Sequence, residues 1–329
     1  MSAVPLPDVP DLPGVPDLPG EPDLFGVPDI PDVPELPDRL IVPVENDFWA
    51  DLRLSTQSRI GLGRVGDAMP TGRVLEFRQA HAIARDAVHE PLDVEALVAQ
   101  VAELGLGVPR VVRSRAADRA QYLRRPDLGR LPADLGGLDM VGRGDGVARP
   151  VSGRAVGGDV VNGGADVGFV LCDGLSALAQ QRHGAAMLAA LAAALPELTL
   201  APPVIATQAR VALGDHLGQA MGVRTVIVLI GERPGLSVAD SLGIYLTHRP
   251  EPGRTDADRN CVSNIHPPEG LGYAAAAAVV SSLVLGARAL GRSGVDLKDS
   301  SRETTLPAPA PDPDLAGSSS SAQNPVSSG

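Results

Sequence analysis

The stretch TVIVLIGERPGLS, Thr225–Ser237, decides the fold. Its first six residues are β-branched or aliphatic without a polar alternation, which is typical of a strand buried on both faces. A polar loop broken by proline, Gly231–Gly235, follows at once. Strands buried on both faces occur in parallel sheets that helices cover. The stretch therefore indicates an α/β protein with a charged loop at the carboxyl end of a central strand.

Outward from this strand, short apolar runs bounded by turn residues alternate with helical segments. Further strands are predicted over Gly168–Cys172, Pro203–Ala206 and Ile244–His248, and helices over Ser176–Leu195, over Val211–Met221 and from about Pro268. The alternation predicts right-handed βαβ units and a mainly parallel sheet within residues 108–300.

In an open α/β sheet, ligands bind beyond the carboxyl ends of the strands. Three loops are predicted at that edge: Asp173–Ser176, the turn before Val211, and Gly231–Gly235. The opening loop is thus placed where a ligand would bind.

Residues 44–107 are predicted to form a small helical domain before the sheet. One apolar stripe runs through Val74, Phe77, His81, Ala84 and Val88, and a second through Val94, Leu97, Val98, Val101 and Leu104, with Asp93 as an N-cap. His81 is interpreted as a core residue rather than a metal ligand.

Both ends of the chain have low-complexity composition. Residues 1–43 form a Pro/Asp-rich arm in which proline recurs every third residue, typical of polyproline II, and residues 301–329 form a tail rich in Pro, Ala and Ser. Both are predicted to be disordered. The arm is interpreted as a spacer, with docking to a partner or shell as the alternative. The glycine-rich stretch 145–166 is predicted to be a loop.

The net charge of −12 is concentrated in the amino-terminal arm. Residues 1–38 contain nine acidic and no basic residues, so the rest of the chain is close to neutral. Such a body lacks the basic footprint that phosphate binding needs, and an aromatic content of 2% gives few platforms for base stacking. We therefore expect no nucleic-acid partner.

Cysteine usage and hydropathy indicate an intracellular chain outside the membrane. Cys172 and Cys261 are too few for a disulfide framework or a zinc site, and no signal peptide is visible. The apolar segment Tyr273–Leu290 contains Arg288 and is mostly alanine, so a packed terminal helix is predicted there rather than a membrane span.

Four local patterns could carry chemistry of their own. Gly61–Gly66 matches the dinucleotide spacing GxGxxG, but no strand precedes it, so a glycine-rich connection is favoured. Ser176 resembles a nucleophile elbow without the last glycine of that motif, and an N-cap is favoured. The arginine-rich run Ser114–Arg130 is interpreted as a solvated helix, with a subunit contact as the alternative. No histidine or cysteine cluster has metal-ligand spacing.

Six segments together resemble one family. They are LEFRQAHAIARDAVH (Leu75–His89), the run Ser114–Arg130, CDGLSALA (Cys172–Ala179), QARVALGDHLG (Gln208–Gly218), VIVLIGERPGLS (Val226–Ser237) and GRTDADRNCVSNIHP (Gly253–Pro267). In this order they are similar to the small (light) subunit of ethanolamine ammonia-lyase, and the resemblance covers about residues 51–285.

The resemblance implies a subunit of a lyase that converts ethanolamine to acetaldehyde and ammonia through the radical chemistry of base-on adenosylcobalamin. It implies a hetero-oligomer in which the large (heavy) subunit carries the substrate-binding residues, and a Rossmann-like domain in this chain that helps to bind the cobalamin at the interface. The D-x-H-x-x-G motif of base-off cobalamin proteins is absent from the sequence.

The resemblance also implies three cofactor-binding residues: Val211, Glu232 and Cys261. Each has a structural alternative, namely a helix start for Val211, an ion pair with Arg233 for Glu232 and a small buried apolar group for Cys261. No catalytic residue and no metal ligand are predicted on this chain. The family implies a location in a bacterial microcompartment or the cytoplasm. The alternative is a stand-alone nucleotide-binding or hydrolytic α/β enzyme.

Overall fold

The computed structural model describes residues 48–135 and 164–301. The predicted arm, nearly all of the predicted tail, and the predicted loop up to residue 163 lie outside these residues. The chain divides into two compact units between Ser55 and Thr56. In the first unit, the described element is helix α1, Phe48–Leu54.

The second unit is built on a mixed six-stranded sheet. Its strands are β1 (Arg110–Arg113), β2 (Val167–Cys172), β3 (Val204–Thr207), β4 (Thr225–Gly231), β5 (Leu242–His248) and β6 (Asn260–Ile265). The order across the sheet is β1-β3-β2-β4-β5-β6. The first four strands in this order pair in parallel, and β5 and β6 pair antiparallel.

The helices of the second unit lie before, between and after these strands. They are α2 (Thr71–His89), α3 (Val94–Ala102), α4 (Arg119–Arg124), α5 (Ala177–Ala179), α6 (Ala185–Ala194), α7 (Leu213–Ala220) and α8 (Tyr273–Leu290). A π-helical turn, Gln180–Gly184, joins α5 to α6. The predicted helix over Ser176–Leu195 is therefore a helical segment with one widened turn.

The prediction of a central buried strand is confirmed, because every residue of β4 and of its neighbour β2 is buried. The parallel half of the sheet also follows the prediction. The antiparallel half does not, and β1 and β6 were not predicted. Since only ten residues separate β4 from β5, no helix can cross the sheet between them, and β5 returns antiparallel.

The two faces of the sheet have separate cores. Helices α3, α6 and α8 cover the first face, where the alternate residues Phe169, Leu171, Ile227 and Leu229 are fully buried. Helix α7 covers the second face over β2 and β4. Because the helices that follow β2 and β3 pack on opposite faces, the sheet has a switch point at its centre, beside the carboxyl end of β2.

Helix α7 lies close to β4 because glycine faces the strand. A Cβ atom on Gly214 would overlap the side chain of Val228, and one on Gly218 would approach Pro250 to 2.6 Å. On the same face, Tyr245 of β5 is half-buried and Cys261 of β6 is exposed.

Helix α2 buries only Ala84 of the predicted stripe. Its buried residues are Ala80, Ala84 and Ala87, whereas Phe77 is 43% exposed and stacks on exposed His81, with 6.5 Å between the ring centroids. The interpretation of His81 as a core residue is wrong, because a face of alanines allows close packing that a face containing Phe and His would prevent.

Helix α3 follows the prediction. The Asp93 side chain accepts a hydrogen bond from the Ala96 amide at 3.0 Å, and Leu97 and Val101 are buried in the first-face core. Helices α2 and α3 thus belong to the same compact unit as the sheet. The predicted domain boundaries at residues 43/44 and 107/108 stay predictions.

Helix α8 packs on the first face, as predicted. Its length and a mean hydropathy of 1.6 would also suit a membrane span. Its buried residues, all in the first-face core, are Ala276, Ala277, Val280, Leu283, Val284 and Ala287. Arg288, in its last turn, pairs with Asp166 just before β2 at 2.6 Å.

Candidate functional site

The three predicted loops meet at the carboxyl edge of the parallel strands. The Asp173 carboxylate accepts hydrogen bonds from the amides of Gln208 at 2.8 Å and Ala209 at 2.9 Å, which joins the loop after β2 to the turn before Val211. The Leu175 amide donates to the Gly231 carbonyl at 2.9 Å, which joins the first loop to the third. The predicted ligand edge is therefore one connected structure.

Asp173 is the centre of this loop cluster. Burial raises the pKa of its carboxyl group, while the amide hydrogen bonds and the charge of Arg119 act in the opposite direction. The Arg119 guanidinium lies 3.4 Å from the carboxylate and donates to the carbonyls of Gly174 at 2.8 Å and Val88 at 2.7 Å. One arginine thus ties the end of α2 to the loop after β2.

The burial of Arg119 corrects one prediction. Its side chain is only 10% exposed, so the interpretation of Ser114–Arg130 as a solvated helix fails at this residue. The ring of fully buried Tyr122 also packs against the guanidiniums of Arg119 and Arg210, whose central carbons lie 5.0 and 4.5 Å from the ring centroid. The solvated interpretation holds for the exposed pair Arg125–Asp127.

Ser176 is an N-cap, as favoured. Its fully buried hydroxyl accepts from the Ala179 amide at 3.3 Å and donates to the Ala239 carbonyl at 2.7 Å. A serine nucleophile must instead offer its hydroxyl to a base and a substrate. The hydroxyl of Ser176 is therefore committed to holding the helix start.

Gly61–Gly66 does not have the context of a dinucleotide-binding motif. It lies between α1 and α2, and its described pairing is an isolated bridge between Val65 and Ala68. Helix α2 begins only at Thr71, after Pro70. Since no strand leads into these glycines and no helix begins directly after them, the interpretation as a glycine-rich connection is favoured.

Glu232 lies at the ligand edge with part of its carboxylate available. Its Oε2 atom accepts hydrogen bonds from the Ser241 hydroxyl at 2.5 Å and the Asn264 amide at 3.2 Å. Gly243 leaves room beside it, because a Cβ atom there would lie 3.0 Å from Oε1. In the described part of the chain, these contacts replace the alternative ion pair with Arg233, and Oε1 stays available as an acceptor.

Cys261 lies on a strand rather than on a loop. It is the second residue of β6 and pairs with Tyr245 of β5, which pairs in turn with Val228 of β4. Cys261 is exposed, so the alternative of a small buried apolar group is wrong. In the sheet it is placed beside Tyr245 on the second face.

Tyr245 and Cys261 are neutral hydrogen-bond partners. Burial, and after it the neighbouring Cys261, raises the pKa of Tyr245 to about 12. Although Cys261 as a residue is exposed, partial desolvation of its sulfur beside Tyr245 raises the pKa of the thiol; the hydrogen bond with Tyr245 acts against this, and the charge of Glu232 adds to it. A thiol with a raised pKa is a poor nucleophile near neutral pH, so this pair offers packing surface rather than covalent chemistry.

Val211 lies in the turn just before α7, which begins at Leu213, close to the helix start that its structural alternative has. Its carbonyl accepts from the Gly214 amide at 2.9 Å, and its half-buried side chain packs against the second-face core that Tyr245 also contacts. The three predicted residues thus border one region: Val211 on the α7 side, Cys261 on β6, and Glu232 at the carboxyl end of β4. Tyr245 is the residue between them.

Three residues of this region were not predicted: Ser241, Tyr245 and Asn264. Tyr245 is one of three tyrosines in the chain and interrupts an otherwise aliphatic strand, which was a signal in the sequence. Ser241 and Asn264 gave none, because the residue before β5 and the strand β6 come close to Glu232 only in the folded sheet.

Residues 48–135 and 164–301 contain no group of three or more His, Cys, Asp or Glu side chains that could hold a metal ion. Asp215, which stands beside His216 in the sequence, has its carboxylate buried against Arg259. The region around Glu232, Tyr245 and Cys261 therefore offers a ligand an apolar surface, neutral polar groups and one carboxylate.

Comparison with known proteins agrees with the resemblance. Residues 46–298 match the family model described as Ethanolamine ammonia-lyase light chain (EutC). The chain is 61% identical over 257 residues to the "Ethanolamine ammonia-lyase small subunit" of Rhodococcus erythropolis, covering 78% of this chain and 91% of the relative. It is 45% identical over 262 residues to the protein of the same name from Ralstonia nicotianae, covering 79% and 91%.

Proposed function

The chain belongs to the ethanolamine ammonia-lyase light chain family, and from this premise we propose that it holds adenosylcobalamin against the large subunit of that lyase. The single observation that carries the proposal is that, among the described residues, Glu232 lies near half-buried Tyr245 and exposed Cys261, which are paired on neighbouring strands of the second face. In this role the chain binds and orients the cofactor and performs no bond-breaking step with its own side chains.

The chemical nature of these groups supports the fit to base-on cobalamin. The corrin periphery carries amide groups, which donate hydrogen bonds, and the Glu232 Oε1 atom is an acceptor without a donor among its described contacts. Val211 and the neutral Tyr245–Cys261 pair offer apolar packing beside it. The site thus combines a surface for a large flat ligand with one directional polar contact.

When bound, adenosylcobalamin supplies the radical chemistry that converts ethanolamine to acetaldehyde and ammonia. This chain's own residues exclude water from one side of the cofactor and fix its orientation. The hydrogen bonds of Asp173 and the contacts of Arg119 hold the three loops in place before the ligand binds. Binding therefore costs less conformational entropy.

The parallel strands favour a Rossmann-like description of this domain. Strands β1-β3-β2-β4 pair in parallel, and the helices after β2 and β3 lie on opposite faces. The cofactor would lie towards the antiparallel side of the switch point, reaching from Glu232 across Tyr245.

A larger partner subunit follows from membership of a small-subunit family. We assign the substrate-binding residues and the radical steps to that large subunit in a hetero-oligomer. The stand-alone hydrolytic or nucleotide-binding alternative loses its supports, because Ser176 is a buried cap and Gly61–Gly66 lacks a strand. A location in a bacterial microcompartment or the cytoplasm stays a prediction.

The proposal is tested by purifying the chain with and without the large subunit and measuring acetaldehyde formation from ethanolamine. Turnover is expected only when both subunits and adenosylcobalamin are present. Acetaldehyde formation by this chain alone, without cobalamin, would refute the proposal.

The Glu232→Gln variant tests the polar contact within the same complex. Replacing the carboxylate by an amide removes the charge but keeps an acceptor oxygen, so it is expected to weaken cobalamin binding about three- to tenfold, roughly the difference between a charged and a neutral hydrogen bond. Glu95→Gln, an exposed change on α3, is the matched control and should leave binding unchanged. Equal binding by both variants would contradict the role of Glu232.

A further inference from the structure

Asp215 of α7 and Arg259, just before β6, form a buried two-pronged ion pair. The Asp215 Oδ1 and Oδ2 atoms accept hydrogen bonds from the Arg259 Nη1 and Nη2 atoms at 2.7 and 2.8 Å. Both side chains are only 2% exposed. Arg259 also donates to the Thr247 hydroxyl of β5 at 3.1 Å and to the Arg254 carbonyl at 2.9 Å. We refer to Asp215, Arg259 and Thr247 as the clasp.

A buried ion pair is a weak source of stability, because removing two charges from water offsets most of their attraction. Burial indeed raises the pKa of Asp215 despite the arginine beside it. What such a pair does provide is geometry, since the planar guanidinium meets a carboxylate in one orientation. The clasp therefore fixes distances between the elements that it joins.

The elements that the clasp joins carry the predicted cofactor contacts. Asp215 lies four residues after Val211, and Arg259 lies two residues before Cys261. Thr247 lies two residues after Tyr245 on β5, so both side chains project from the same face of the sheet. The clasp thus joins α7 to β5 and to the start of β6 on the second face. The two predicted contacts next to it in sequence, Val211 and Cys261, lie on either side of Tyr245.

The close packing of α7 explains why this separation needs a fixed link. Gly214, adjacent to Asp215, brings α7 onto β4. Within the part of the chain that the structure describes, the Asp215–Arg259 pair is a direct side-chain link between α7 and the residue before β6. A change of this link would alter the separation between α7 and the start of β6.

We infer that Asp215 and Arg259 are positioning residues for the cofactor: their ion pair sets the separation of Val211 and Cys261 and thereby the fit of cobalamin. This inference rests on the proposed function. Neither side chain touches the ligand in this account, because both are buried, and their effect passes through the segments that they hold apart.

The test compares two ion-paired arginines, buried Arg259 and half-buried Arg288, in the assembled complex of this chain with the large subunit. Arg259→Lys keeps the charge but cannot form the two-pronged contact. Arg288→Lys makes the same substitution in the single-contact ion pair with Asp166, which joins α8, on the first face of the sheet, to the residue before β2. Cyanocobalamin binding is measured by equilibrium dialysis, and the melting temperature of each complex is recorded without ligand.

Arg259→Lys is expected to raise the dissociation constant of cyanocobalamin about tenfold, because a small misplacement of preorganised groups has a large effect on fit. Arg288→Lys should lower the melting temperature but leave the dissociation constant unchanged. Equal dissociation constants for Arg259→Lys and the wild type would overturn the inference, as would an equal rise in both variants.

Thr247→Val provides a second variant if Arg259→Lys does not fold. It keeps the size of the side chain and removes only one anchor of Arg259, so a rise of about threefold in the dissociation constant is expected. An unchanged value would overturn the inference. If Glu232→Gln weakens binding while both clasp variants bind normally, the proposed function stands and the clasp inference fails. If the wild-type complex does not bind cyanocobalamin, both fail.

Discussion

At the scale of single residues, Glu232 owes its orientation to three neighbours. Ser241 and Asn264 hold one carboxylate oxygen, and Gly243 leaves the space beside the other. The sequence placed Glu232 at the ligand edge because it follows a buried strand directly. It could not reveal the neighbours, because they come from β5 and β6, which join β4 only in the folded sheet.

Exposure was the least predictable property of single residues. Cys261 and His81 are exposed although their types and patterns favoured burial, and Arg119 is buried although it belongs to a charged run. In each case the tertiary structure decides the exposure of the side chain. Cys261 lies on the second face of edge strand β6, and His81 lies away from the buried alanines of α2. Arg119 is buried against the Asp173 carboxylate.

His248 gives a prediction about pH at this scale. It is buried at the end of β5, where its Nδ1 atom lies 2.9 Å from the Thr225 hydroxyl. Burial, and after it the charge of Arg249, lowers the pKa of His248 to about 4. The unfolded chain binds a proton below about pH 6.5, whereas the folded chain does not until about pH 4. Neutral His248 therefore contributes stability above about pH 6.5 that is lost as the pH falls through this window.

The His248→Asn variant tests this pH dependence in the isolated chain. The wild type should lose roughly 1–3 kcal/mol of unfolding free energy between about pH 7 and pH 4 through this group, and the variant should lose less by that amount. Urea unfolding followed by circular dichroism at both ends of the window measures the difference. Parallel pH profiles for wild type and variant would contradict the account.

At the scale of elements, the strongly patterned strands were predictable and the edge strands were not. Strands β2 and β4 are buried throughout and stood out as continuous apolar runs. Strands β1 and β6 are edge strands with mostly exposed or half-buried residues, so their sequences RVVR and NCVSNI carry little pattern. Their pairing comes from neighbours that are distant in sequence.

The packing of α7 on β4 yields a prediction with a matched control. Gly214 and Gly72 are the second residues of α7 and α2, but a Cβ atom on Gly214 would overlap Val228, whereas one on Gly72 would meet nothing within 4 Å. Gly214→Ala should lower the unfolding free energy by about 1–3 kcal/mol, and Gly72→Ala should raise it by about 0.5–1 kcal/mol. Urea unfolding measures both, and a stabilising Gly214→Ala would contradict the close packing.

At the scale of the whole molecule, the fold class followed from the sequence and the full topology did not. The alternation of helices and strands predicted the parallel part, which holds for β1-β3-β2-β4. The antiparallel part was implicit in the short connection between β4 and β5, which excludes a crossover helix. In the proposed function this part carries Tyr245 and Cys261, which lie on β5 and β6.

In the proposed function, this chain forms one side of a cobalamin site that only the two-subunit complex completes. Neither the carboxylate of Glu232 nor the neutral pair Tyr245–Cys261 can perform the lyase reaction. Together they offer a surface on which a cofactor could bind between this chain and a partner subunit. The chain should thus contribute to cofactor affinity and not to substrate affinity.

The most direct measurement is equilibrium dialysis of cyanocobalamin against the large subunit alone, this chain alone, and the reconstituted complex. The account predicts that the complex binds at least about tenfold more tightly than the large subunit alone, which corresponds to roughly 1.4 kcal/mol of added contact. It also predicts that this gain shrinks when the chain carries Glu232→Gln. Equal affinity of the large subunit with and without this chain would contradict the claim.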